Sequence, residues 1–342
     1  MQHSHDLFKN SYMLSLDYEL FFGSQTGTNE KSLFEPISHL LDEVSEAGCR
    51  LVLFVDAGYL EALQREGVSY PQLLQQYDQI SEHLISLSSA GHDIQLHIHP
   101  HWEDTHYNGN AWSVDVNRYR LHAFNPRQRL DIVARYKAQL QRVAKNNIFA
   151  YRAGGWCMQP FSEISDALIQ NGVWLDSTVY YGGYSDDPLR WFDYRETPVN
   201  PYWSFSDDPN KIDTSGKFIE LPISSQMLSP LFFWKLAFSK KFKRAENKPF
   251  GDGNVMQANS GYYLSKLFTK TYSPVSIDGL KSGQVPSAYK KHQMRRDDAV
   301  FNIMGHPKSL TPYSVRAFGN FLRSNEHLVC RVLSDFEELK PF

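Results

Sequence analysis

The order of the first hundred residues constrains the fold most. Three strand-like apolar runs alternate with two amphipathic helical segments. The first run is Tyr12 to Phe22 (YMLSLDYELFF), and the second is LVLFV at 51–55, which follows Arg50 and ends in Asp56. In the third, Ile94, Leu96 and Ile98 alternate with Gln95, His97 and His99, the two-residue period of a strand. Pro100 ends that run because it has no N–H for a ladder. Between the runs, Ser32 to Ala47 places Phe34, Ile37, Leu40, Leu41 and Val44 at helical spacing, with Gly48 as a stop. Pro71 to Ala90 does the same with Leu73, Leu74, Tyr77, Ile80, Leu84 and Leu87, and Gly91 stops it. A βαβαβ order of this kind predicts an α/β protein with a parallel sheet and helices outside it.

The rhythm continues downstream. Helices are expected over Pro126–Lys145, Phe161–Gln170 and Pro312–Arg323. Strands are expected over Ile148–Arg152, Val173–Asp176, Phe218–Pro222, Ala299–Met304 and His327–Leu333. Residues 102–125 read as a long loop on the histidine side. Residues 224–298 break the pattern and read as an inserted subdomain or long loops within a single 1–342 domain. Inside this insertion, 231–244 is apolar-aromatic and then basic, with Lys240, Lys241, Lys243 and Arg244. It fits weak contact with an anionic membrane surface or an acidic substrate. It also fits a packed helix with a solvated charged end, the commoner outcome.

Composition removes several classes of function. A chain of 342 residues with 42% apolar and 21% charged residues can bury a large core. A net charge of −3 implies no general affinity for nucleic acid. No run approaches the roughly 18 apolar residues of a membrane span. The first ten residues are polar and lack the apolar centre of a signal peptide. Cys49, Cys157 and Cys330 are far apart and form no CxxC pair. The expectation is a cytoplasmic protein. Aromatic residues make up 14%, which suits stacking on sugar rings and equally suits a large core.

Ligands bind parallel α/β sheets at the carboxyl ends of the strands. Here those ends carry Asp17 and Glu19, then Asp56, then His97, His99 and His101, then Arg152, Asp176 and His306. Two carboxylates in an apolar strand cost free energy unless they are paired or bind a cation. Neutral imidazole is the commonest ligand for a divalent transition metal. Each residue alone has a bland explanation, such as a surface ion pair, a helix cap or a polar loop. Together they mark one chemical site.

The order of these motifs resembles the polysaccharide deacetylase (NodB-homology) family of carbohydrate esterases. The acidic motif is Ser15-Leu16-Asp17-Tyr18-Glu19, and Gly91-His92-Asp93 leads to His97-Ile98-His99-Pro100-His101. The others are Tyr151-Arg152-Ala153-Gly154-Gly155, Leu175-Asp176-Ser177-Thr178 and Ile303-Met304-Gly305-His306. The resemblance covers most of the chain outside 224–298. It implies a distorted (β/α)7-type barrel and a metal-dependent hydrolase that removes an N-acetyl or similar acyl group from a sugar. It implies Asp17 as general base, Arg152 as the cation that holds Asp17, and His306 as general acid, with Asp176 orienting His306 or binding substrate.

Tyr18 replaces the family's adjacent second acid, so the metal-binding carboxylate becomes Glu19 or Asp17 itself. Family spacing selects His97 and His101 as ligands, whereas strand geometry selects His97 and His99. The reading takes the first pair and keeps His99 as the alternative. Zn2+ is the default metal for such donors, and Co2+, Ni2+ or Mn2+ fit the same set. Asp56 is a candidate for binding substrate or for supporting the site from behind, and Trp102, Tyr107, Trp112 and Trp156 are candidates for sugar stacking. The departures imply a divergent cytoplasmic branch acting on a glycan or lipopolysaccharide intermediate, carried on a nucleotide or lipid. Other readings are a hydrolase of a non-sugar C–N bond and a sugar-binding module without catalysis.

Overall fold

The computed structural model describes residues 7–242, 244–256, 265–295 and 298–341. In chain order the first half forms β1 (Ser11–Tyr18), α1 (Glu35–Val44), β2 (Leu51–Asp56), α2 (Ala57–Gly67), α3 (Gln72–Ser89), β3 (Asp93–Ile98), α4 (Pro126–Gln141) and β4 (Ala150–Ala153). Then come α5 (Ser165–Gln170), β5 (Leu175–Asp176), β6 (Trp203–Phe205), β7 (Phe218–Glu220), β8 (Ser225–Leu228), α6 (Pro230–Phe242), β9 (Thr271–Pro274), α7 (Val285–Arg295), β10 (Phe301–Gly305), α8 (Pro312–Arg323) and β11 (Val329–Cys330).

The central sheet runs β6-β7-β5-β4-β3-β2-β1-β10, with β11 beside the start of β1. Every pairing is parallel except that of β6 with β7. The sheet curls until its two sides meet through irregular chain. Leu221 N donates to Asp176 O (2.9 Å), Ile223 N to Val179 O (2.8 Å) and Ser224 N to Asn302 O (2.9 Å). Val275 N then bonds Ser224 O (2.7 Å), and Met304 N bonds Val275 O (3.0 Å). The result is a distorted α/β barrel with helices outside.

Strand alternation builds two cores and the site at once. The outward set includes Leu14, Leu16, Leu51, Leu53, Val55, Ile94, Leu96 and Ile98, all buried against the helices. The inward set starts apolar, with Met13, Val52, Phe54 and Ala150 packed on Trp174, Ile219 and Phe336. Further along, the same inward rows reach Asp17 (by way of Ser15), Asp56 and Arg152. The register pairs Asp56 with His97 and His97 with Arg152, so polar groups from adjacent strands emerge at one level.

Several elements differ from the sequence expectation. β1 stops at Tyr18, so Glu19 lies just beyond the ladder rather than inside a strand to Phe22. Helix α2 is new. It begins directly after Asp56, with no loop to announce it. A Cβ on its Gly58 would come within 2.8 Å of the Tyr136 hydroxyl and 2.9 Å of Trp102, so only glycine lets this turn pack so closely. The 224–298 stretch holds the antiparallel pair β8–β9, with α6 between its strands, and α7. The last strand shrinks to the two residues of β11. Among the described residues, no helix is long and apolar enough to cross a membrane.

Candidate active site

Glu19 stands at the centre of the polar barrel end. Its Oε2 lies 3.2 Å from His97 Nε2 and 2.6 Å from His99 Nε2, and all three residues are buried. Its Oε1 accepts from Lys308 Nζ at 2.9 Å. Lys308, two residues past His306, also donates to Leu20 O (2.5 Å), and its ammonium faces the Phe22 ring 4.7 Å from the centroid. Burial alone would raise the Glu19 carboxyl. Lys308, His99 and His97 outweigh it and hold Glu19 well below the ordinary range.

The donor set fits a cation. His97 Nδ1 faces Arg152 O at 2.8 Å, and a carbonyl only accepts, so Nδ1 carries the proton. In the neutral ring, Nε2 then points a lone pair at the Glu19 carboxylate. His99 Nδ1 has no hydrogen-bond partner, and burial lowers the His99 pKa to about 4, which favours the neutral ring. Two imidazole nitrogens directed at one carboxylate oxygen call for a shared positive charge. A divalent ion held by Glu19, His97 and His99 would supply it, since all three donor atoms lie within 4.8 Å of one another.

His101 stands outside this group. It is buried, neither ring nitrogen has a partner, and the ring lies against Tyr119, Trp102 and Phe22. Burial holds its pKa well below the usual histidine value. The geometry therefore favours the strand-based pair, His97 and His99, over the pair taken from family spacing.

Asp17 leans on Arg152. Arg152 Nη1 donates to Asp17 Oδ1 at 2.7 Å, Nη2 to Ser15 Oγ at 2.9 Å, and Nε to Ser177 O at 2.7 Å. The guanidinium also caps the inner apolar core, 4.0 Å from the Phe54 ring centroid. Asp17 Oδ2 faces His306 Nε2 at 3.6 Å. His306 is held from behind by Asp278, whose Oδ2 is 2.9 Å from Nδ1 and whose Oδ1 accepts from the His306 backbone N–H at 2.8 Å. Burial works against protonation of His306, but Asp278, then Asp17 and Glu19, raise its pKa above the ordinary value.

Two expectations need correction. Asp176 does not orient His306; its oxygens accept from Thr178 N (2.8 Å) and Thr178 Oγ1 (2.7 Å), and it pairs with buried Glu220. Asp278 takes the orienting place. It ends the apolar run Val275-Ser276-Ile277, the same strand-end signature used elsewhere, but inside a stretch set aside as an insertion. Trp102 presents no face to a ligand, being wholly buried with Nε1 donating to Asp56 Oδ2 at 2.6 Å. Asp56 thus sits behind the site, its pKa pushed up to about 7 by burial. Tyr107 and Trp112 are partly exposed and pack edge-to-face, while Trp156 packs on Tyr180.

No family model matches the chain, and no curated protein matches its sequence. Solved structures similar to it include the α-amylase AmyC of Thermotoga maritima (10% identity, TM-score 0.48), covering 96% of this chain and 74% of that one. A protein of Mycobacterium smegmatis assigned as a polysaccharide deacetylase is similar at 14% identity and TM-score 0.46, with 96% and 91% covered. A family 4 carbohydrate esterase of Streptomyces lividans, solved with acetate, is similar at 11% identity and TM-score 0.36, with 96% of each chain covered.

Proposed function

We propose that the chain is a metal-dependent hydrolase that removes an acetyl or similar acyl group from the nitrogen of a sugar. The observation that carries the reading is one juxtaposition. A Glu19–His97–His99 donor set, an Arg152-held Asp17 and an Asp278-held His306 converge on the same barrel end. A divalent ion bound there lowers the pKa of a water to about 7 and polarises an acyl carbonyl.

The chain's own groups divide the proton work. Arg152 donates to Asp17 Oδ1 and fixes the carboxylate, leaving Oδ2 to take the proton of the attacking water. His306, protonated and fixed by Asp278 on Nδ1, presents Nε2 to the leaving nitrogen and delivers the proton that lets the amine depart. Lys308 and the His97 contact with Arg152 O keep Glu19 and His97 in place. Partly exposed Tyr107, Trp112 and Trp156 are the aromatic surfaces open to a sugar ring. The substrate class is an N-acylated sugar intermediate of glycan assembly, in nucleotide- or lipid-linked form.

The test is acetate release from N-acetylated sugar intermediates in the presence of Zn2+, Co2+, Ni2+ or Mn2+. Release that needs metal and disappears in His97→Ala supports the reading. No release with any sugar, or release unchanged in His97→Ala, overturns it.

A further inference from the structure

Helix α6 (Pro230–Phe242) lies outside the site and carries an apolar face that is exposed among the described residues. Leu231 is 77% exposed, Trp234 41%, Phe238 54% and Phe242 71%. Their spacing of three, four and four residues places them on one stripe of a helix. The opposite side is the packed one, where Phe232 is buried. The stripe is organised, since Trp234 and Phe238 rings lie 6.2 Å apart and Trp234 Nε1 donates to Leu267 O at 3.1 Å. Exposed Phe268 follows directly after Leu267 and extends the apolar surface. Contiguous exposed aromatics of this kind mark an interaction surface.

The charge around the stripe selects the occupant. From Pro230 to Arg244 the sequence holds five basic residues (Lys235, Lys240, Lys241, Lys243 and Arg244) and no carboxylate, in a chain of net charge −3. Lys243 lies outside the described residues; Lys235 and Arg244 are exposed. A second copy of this chain would set basic helix against basic helix. An anionic bilayer instead meets both features, with headgroups for the cations and an acyl boundary for Leu231, Trp234, Phe238 and Phe242.

We propose that α6 docks the protein peripherally on an anionic lipid surface, with its Leu231–Trp234–Phe238–Phe242 stripe lying in the headgroup layer. This inference does not depend on the hydrolase reading, because none of these residues belongs to the barrel-end site. Docking would bring the protein to substrates displayed at that surface.

The test is co-sedimentation of the full chain with phosphatidylcholine vesicles that contain or lack about one-third phosphatidylglycerol. The expected result is at least tenfold more binding to the anionic vesicles in 0.1 M salt, largely reversed in 0.5 M salt. Trp234→Ser/Phe238→Ser and Lys235→Glu/Arg244→Glu should each lower that binding about tenfold while circular dichroism and melting stay unchanged. Absence of binding, or equal binding to both vesicle types, overturns the proposal. So does a dimer in light scattering that Trp234→Ser/Phe238→Ser dissolves, since that result assigns the stripe to a second copy.

Discussion

Asp17 has one oxygen committed to Arg152 and one turned toward His306, an arrangement that specifies its chemistry more than its burial does. Asp17→Asn keeps the shape and removes the proposed base. Acetate release in the metal-loaded protein should fall by about 10²–10⁴-fold with the fold intact by circular dichroism. Asp278 acts on His306, the proposed acid. It raises the His306 pKa, so Asp278→Asn should lower it. The high-pH limb of the activity profile, where the acid form of His306 is lost, should then move to lower pH. An unshifted limb would separate Asp278 from the acid. Arg152 is wholly buried between Asp17, Ser15 and Ser177, so Arg152→Met should cost stability as well as activity. Breaking a buried pair by removing one partner typically costs about 3–5 kcal/mol, which chemical denaturation would read.

The ends of the elements set the precision of the site. Gly154 follows β4, and a Cβ there would meet His99 Cε1 and Nδ1 at 2.6 Å and Ile98 O at 2.7 Å. Gly154→Ala should therefore push His99 away from Glu19. Metal content after dialysis against a limiting concentration of Zn2+ should fall about tenfold or more, within the 10–100-fold range of disturbed ligand surroundings. A second junction ties the end of β1 to α3, where the Tyr18 hydroxyl meets His83 Nδ1 at 3.0 Å. Burial lowers the His83 pKa to about 4 from 6.5. The unfolded chain takes up a proton below about pH 6.5 while the folded one stays neutral. This contribution is therefore fully present above 6.5 and is lost as pH falls toward 4. Allowing for partial exposure of the ring, the loss by pH 4.5 is about 1–2 kcal/mol. His83→Phe should flatten this part of the stability curve in urea melts at pH 4.5 and 7.

For the whole molecule, a cation bound by Glu19, His97 and His99 joins β1 to β3 across the barrel end. An ion that binds only the folded state stabilises it by about 2.7 kcal/mol at one hundred times its dissociation constant. Chelator-treated protein should melt several degrees below protein supplied with Zn2+, and His99→Ala should remove most of the difference. No difference for the intact chain would count against a metal at this site. The residues of this barrel end were legible at different depths. Residues Asp17, Glu19, His97, Arg152 and His306 stand at strand ends that periodicity alone identifies. Asp278 and Lys308 are harder to single out: Asp278 ends a run of only three residues inside a stretch that breaks the strand rhythm, and Lys308 lies in the turn two residues past His306.

The alternation of apolar and polar residues determined the parallel α/β class, most helices of the first half and the gathering of polar groups at one end. These features are local, since a two-residue or 3.6-residue period decides which face each side chain takes. Tertiary structure alone decided which donors meet. Register and curl brought Glu19 to His97 and His99, a pair that the strand period already sets on one face. The return of residues 275–278 beside β10 gave His306 to Asp278 and left Asp176 to Thr178 and Glu220. Packing enclosed Trp102 instead of offering it to a ligand. Such choices depend on distances between strands far apart in sequence, and no local period encodes them.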